Sequence, residues 1–97
     1  MKVLNEIRNI IREHHHVLAE RYGVAVVGVF GSYVRGEQNA ESDLDLLAEI
    51  LRPISLLDLV GAELYLSEGL GVKVDLVPKR SLRKELRDTI LQEAVAP

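Results

Sequence analysis

Three aspartates and a Gly-Ser pair are the residues of this sequence best suited to chemistry. Gly31-Ser32 closes a valine-rich run, ten residues intervene before Asp43-Leu44-Asp45, and a third carboxylate, Asp75, sits in a later apolar run. Gly31 permits a sharp turn and a close backbone approach to a ligand. Ser32 offers a hydroxyl, and the amides that follow it can face an anion. Arg35, three residues on, falls on the same side of a helical turn and can pair with phosphate oxygens. A serine-capped strand-to-helix turn is ordinary by itself. Its significance lies in the fixed distance to the aspartates.

In an extended strand Asp43 and Asp45 point to one face, with Cβ atoms roughly 7 Å apart. Carboxylates at that spacing can bridge divalent ions about 3.5–4 Å apart. Asp75 occupies the non-core face of another strand. If the apolar faces of both strands meet helices, all three aspartates project from the same side of the sheet. Such a cluster is self-repelling, and divalent cations relieve it. Hard oxygen donors with no nearby His or Cys favour magnesium or manganese over zinc. Asp43 as a turn residue after Ser42, and Asp75 as a lone surface charge, are the bland alternatives. Asp is depleted in strands, so its presence on the non-core face of two of them favours the metal site.

The elements that must position these groups can be read from periodicity. Leu4, Ile7, Ile11, Leu18 and Tyr22 follow helical spacing, predicting a helix from about Val3 to Tyr22 that stops at Gly23. Val24–Phe30 is short, β-branched and bounded by glycines, hence a buried strand. One or two helical turns follow Ser32, then a polar loop over 36–41. In Asp43–Ile50, Asp43, Asp45, Leu47 and Glu49 share one face and Leu44, Leu46, Ala48 and Ile50 the other. Ser55 and Asp58 resemble a capping pair for a helix reaching about Ser67, ended by Gly69 and Gly71. Val72–Val77 is a third strand, stopped by Pro78. Ser81 can cap a last helix carrying Leu82, Leu86, Ile90 and Ala94. The order α-β-α-β-α-β-α predicts a small α/β fold, with a sheet covered by helices on at least one face.

The 97 residues suit one domain, 1–97, and about half are hydrophobic, enough for a core. A net charge of -3 with interspersed signs argues against a dedicated nucleic-acid binder. The sequence has no cysteine, which excludes disulfides and thiolate metal sites. The N-terminal charges interrupt any signal-peptide core, and no apolar run approaches the ~20 residues of a membrane span. A cytoplasmic protein is expected. His14-His15-His16 lies within the first helix, where neighbours diverge by about 100°, so the three imidazoles do not converge on one ion. They form a solvated or partner-facing surface. Arg80, Arg83, Lys84 and Arg87 make either a docking face or a solvated one.

Together, Gly31-Ser32, the ten-residue spacer, Asp43-x-Asp45 and the later strand aspartate Asp75 resemble the signature of the DNA polymerase beta nucleotidyltransferase superfamily. The wider wording, GSYVRGE, SDLDLL and VKVDLV, is similar to the minimal nucleotidyltransferases of bacteria and archaea. The resemblance spans essentially the whole chain. Tyr33-Val34 stands where the family often has smaller residues. It implies a mixed sheet and transfer of a nucleoside monophosphate from a triphosphate, ATP, to an acceptor hydroxyl, with release of pyrophosphate. Asp43 and Asp45 would hold two Mg2+ ions (Mn2+ being a possible substitute). Asp75 would bind the catalytic ion and help activate the hydroxyl, while Gly31, Ser32 and Arg35 would grip the β and γ phosphates. Lys73 is either a triphosphate contact or a solvated charge.

Minimal members typically pair with a small helical HEPN-domain toxin, and as antitoxins adenylylate a tyrosine on it. The resemblance therefore implies a HEPN partner and a hetero-oligomer. Because the catalytic core uses all 97 residues, the acceptor is expected in trans. Neutralisation by binding alone, and an enzyme acting on a small hydroxylated molecule, are the competing readings. Clustered carboxylates are of no use to a pure binder, which favours the enzyme.

Overall fold

The computed structural model describes residues 2–97. The first helix, α1 (Leu4–Val17), widens into a π-helical turn over Leu18–Tyr22 and stops at Gly23, whose φ of 67° ends it in the left-handed region. Its buried stripe is Ile7, Ile11 and Leu18, as the spacing predicts. The Arg52 guanidinium donates to the carbonyls of Ala19 (2.8 Å) and Glu20 (2.9 Å) in the last turn, where Ala19 also accepts the Gly23 amide (3.1 Å). The histidine triplet diverges. His14 Nδ1 lies 2.6 Å from the Tyr65 hydroxyl, whereas His15 and His16 are exposed.

Strand β1 (Val24–Phe30) pairs antiparallel with β2 (Leu44–Ile50), and β2 pairs parallel with β3 (Val74–Pro78), giving the mixed three-stranded order β1-β2-β3. The register slips between Val26 and Gly28, so Val27 bulges outward. The bulge resets the alternation, and Val24, Val26 and Val29 all reach one core, where strict alternation would have turned Val29 away. On β2 the core face is Leu44, Leu46 and Ala48, each fully buried; on β3 it is Val74 and Leu76.

A parallel pair needs a crossover. Helix α3 (Leu56–Leu70) supplies it, packing Ala62, Leu66 and Leu70 on the sheet. Ser55 caps α3 reciprocally with Asp58, at 3.2 and 3.0 Å. The helix passes through Gly69 and ends at Gly71, one turn later than predicted, because burying Leu70 completes its apolar stripe. Two of its side chains seal the outer edge of β3: Val74 N–H donates to Ser67 Oγ (3.0 Å) and Leu76 N–H to Glu63 Oε2 (2.9 Å). Backbone donors that would face solvent are thereby satisfied.

Three expectations need correction. The third strand starts at Val74 and not Val72, and ends on Pro78. The second begins at Leu44, so Asp43 immediately precedes it. The last helix, α4 (Lys84–Glu93), starts after Arg83; a 3-10 turn occupies Lys79–Ser81, and Leu82 stays extended because its side chain is buried. Only Lys84 and Arg87 of the basic group therefore belong to the helix proper. Ala94 caps it, and Val95 makes an antiparallel bridge to Val29 with bonds of 2.8 and 2.9 Å. This last segment reaches the acidic face of the sheet: a Cβ on Gly28 would lie 3.1 Å from the Ala94 Cβ and 3.8 Å from that of Leu47, and Leu47 is buried. The segment thus covers this face around Leu47 and leaves Asp45, nearer the end of β1, beside the turn that follows it. Among the described residues no helix is long and apolar enough to cross a membrane.

Candidate active site

The parallel register brings the carboxylates together. Asp45 and Asp75 are direct partners across β2 and β3, so their side chains leave the same face side by side. On the opposite flank Asp45 is paired with Phe30, the last residue of β1, and this carries the Gly31-Ser32 turn to its door. Gly31 has φ 83° and ψ −155°, and a Cβ there would run into the Asp45 carboxylate. Glycine is needed at 31 for both reasons.

Ser32 opens a single helical turn, α2 (Ser32–Arg35), in which the amides of Val34 and Arg35 bond back to the Gly31 carbonyl at 3.0 and 3.2 Å. Buried Tyr33 anchors this turn in the core. The larger Tyr33-Val34 pair thus serves packing.

Asp45 is half-buried, and its carboxyl is pushed above the usual range, first by desolvation and then by the charges of Asp75 and Asp43; Arg35 pulls the other way. Asp43 and Asp75 are exposed. Lys73 Nζ lies 3.8 Å from Asp43 Oδ2, an exposed and weak pair. Among the described residues no three acidic or imidazole side chains are already gathered closely enough to cage an ion. One half-buried and two exposed carboxylates, all hard oxygen donors, still suit Mg2+, which takes one or two carboxylates and completes its shell with water and substrate phosphates.

Arg35 is placed where the spacing predicts, but not alone. Its guanidinium meets Glu93 at 2.6 Å and Glu37 at 3.0 Å, and hydrogen bonds to Glu37 and then Glu93 raise its pKa. The other Glu93 oxygen accepts a long bond (3.4 Å) from the Gly31 amide. Glu93, from the end of α4, thus presents a carboxylate to both groups expected to grip phosphate. Residue spacing gives no sign of this, because the contact joins segments 58 and 62 positions apart.

The nucleotidyltransferase domain family matches residues 6–97. The protein adenylyltransferase MntA of Thermococcus cleftensis is 46% identical over 95 residues, 98% of this chain and 96% of that one. A Methanocaldococcus jannaschii relative that bears the name putative protein adenylyltransferase is 50% identical over 82 residues, 84% of each chain. A solved minimal nucleotidyltransferase superposes with a TM-score of 0.80 at 41% identity, covering 99% of this chain and 97% of that one. The complex of a tri-AMPylated Shewanella oneidensis HEPN toxin with MNT antitoxin contains a chain of the same fold, at TM-score 0.69 and 18% identity, covering 95% of this chain and 69% of that one. This chain belongs to the nucleotidyltransferase family, in its minimal form.

Proposed function

We propose that this protein is a Mg2+-dependent protein adenylyltransferase that moves AMP from ATP to a hydroxyl, a tyrosine, of a partner HEPN-domain toxin and thereby acts as its antitoxin. The observation that carries this reading is the in-register pair Asp45–Asp75 beside the Gly31 turn. The relatives named as protein adenylyltransferases support the reaction class, and the MNT–HEPN complexes of like fold support the kind of partner.

In the proposed reaction the acceptor oxygen attacks the α-phosphorus of ATP. The bond from that phosphorus to the β-phosphate's bridging oxygen breaks, and pyrophosphate leaves. Asp75, the more exposed of the paired carboxylates, takes the hydroxyl proton. Asp43, Asp45 and Asp75 would hold Mg2+, which when bound neutralises charge on the phosphate oxygens. Ser32, the Gly31 amide and Arg35 receive the β and γ phosphates. Phosphate arrival exchanges the Glu93 carboxylate for another anion, so the grip does not have to be assembled anew.

The test is incubation with α-labelled ATP, Mg2+ and a HEPN-domain toxin from the same source. Label should pass to that protein, and Asp43→Asn and Asp45→Asn should abolish the transfer. Full neutralisation by Asp43→Asn without label would favour blocking by contact.

A further inference from the structure

Displacement at phosphorus proceeds with the attacking and leaving oxygens roughly in line. If pyrophosphate departs over the Gly31-Ser32-Arg35 turn, at the β1 side of Asp45, the acceptor must come from the other side of the carboxylates. Strand order fixes which side that is: β2 lies between β1 and β3, so the acceptor arrives over β3 and α3.

A cleft of about 330 Å3 opens there, with Asp43 and Asp75 on its strand wall and Val60, Glu63, Leu64 and Ser67 on its helix wall. Glu63 and Ser67 are engaged in sealing the β3 edge, which leaves Val60 and Leu64 as the unengaged surface of that wall. They sit one helical turn apart and are 40% and 62% exposed, and Leu57, 81% exposed, continues the strip. An apolar wall beside catalytic carboxylates suits a ring that buries its face and presents an oxygen at its edge. An aliphatic hydroxyl has nothing to place against it.

We propose that the cleft between α3 and β3 is the acceptor subsite, and that Val60 and Leu64 select an aromatic hydroxyl, the phenol of a protein tyrosine. This proposal rests on the adenylyltransferase reading for its orientation. Both side chains are well exposed, so polar replacements leave the core intact.

The probes are N-acetyl-tyrosinamide and N-acetyl-serinamide, added to methyl-labelled protein with Mg2+ and a non-hydrolysable ATP analogue. The tyrosine amide should shift the Val60 and Leu64 methyl resonances, and the serine amide should not. Perturbation confined to other methyls, or none, overturns the subsite. In transfer assays, Val60→Ser/Leu64→Ser should raise KM for the tyrosine amide by about tenfold, leaving the ATP-dependent melting shift unchanged. Undiminished transfer by that variant overturns the selective role. If the methyls respond but wild type transfers no AMP to any acceptor, the subsite stands and the reaction assigned to it falls.

Discussion

Arg35 and Glu93 lie 58 positions apart in the chain, yet their charged groups meet at 2.6 Å. The contact ties the end of α4 to the turn after β1, and it seats a carboxylate where the proposed reaction needs phosphate. Phosphate must therefore compete with an internal anion.

Replacing that anion should help binding. Glu93→Gln keeps the shape and removes the charge, so affinity for pyrophosphate or ATP, measured by titration calorimetry, should rise a few-fold. Arg35→Ala should lower it. A Glu93→Gln variant that binds more weakly than wild type would mean that Glu93 orients Arg35 and does not compete with the ligand.

Asp45 should be a cost to stability at neutral pH. Its carboxyl is raised, chiefly by desolvation, so the folded chain holds the proton more tightly than the unfolded chain does. The associated stabilisation is present below the ordinary value of about 3.9 and is lost as pH rises through the raised one. Asp45→Asn should therefore raise the melting temperature at pH 7, with the gain shrinking toward pH 4. Mg2+ with ATP should stabilise wild type more than this variant. A lower melting temperature for Asp45→Asn at pH 7 contradicts the account.

Gly31 and Gly36 offer a matched comparison. Both have positive φ, 83° and 72°, but a Cβ at 36 meets nothing within 4 Å while one at 31 meets Asp45. Gly36→Ala should cost about 1 kcal/mol. Gly31→Ala should cost more than Gly36→Ala, with each additional kcal/mol lowering the melting temperature by about 4–8 °C. Equal effects in thermal melts would show that the Asp45 contact adds nothing.

Much of this arrangement was legible in the residues. Val24–Phe30 is a β-branched run between glycines, and the strand matches it end to end. The Gly31-Ser32 turn and the capped start of α3 are local features, set by neighbours three or four positions away. What escaped depends on distant contacts. Val27 has no spelling that marks it as a bulge; its position follows from pairing with β2. Ser81 is a good cap by itself, but burial of Leu82 overrides it. Alternation suggested a common face for Asp45 and Asp75, whereas their direct pairing is a matter of register. Glu93 reaches the turn only because the chain's last segment folds back on β1.

The central claim is covalent transfer by the Asp45–Asp75 site. Its most direct measurement is the toxic activity of the HEPN partner after incubation with this protein, ATP and Mg2+, followed by complete separation of the two chains. The partner should stay silent, carry AMP on a tyrosine by intact-mass and peptide analysis, and remain active after incubation with Asp45→Asn or Asp75→Asn. Recovery of full activity on separation from wild type, with no added mass, would contradict the account.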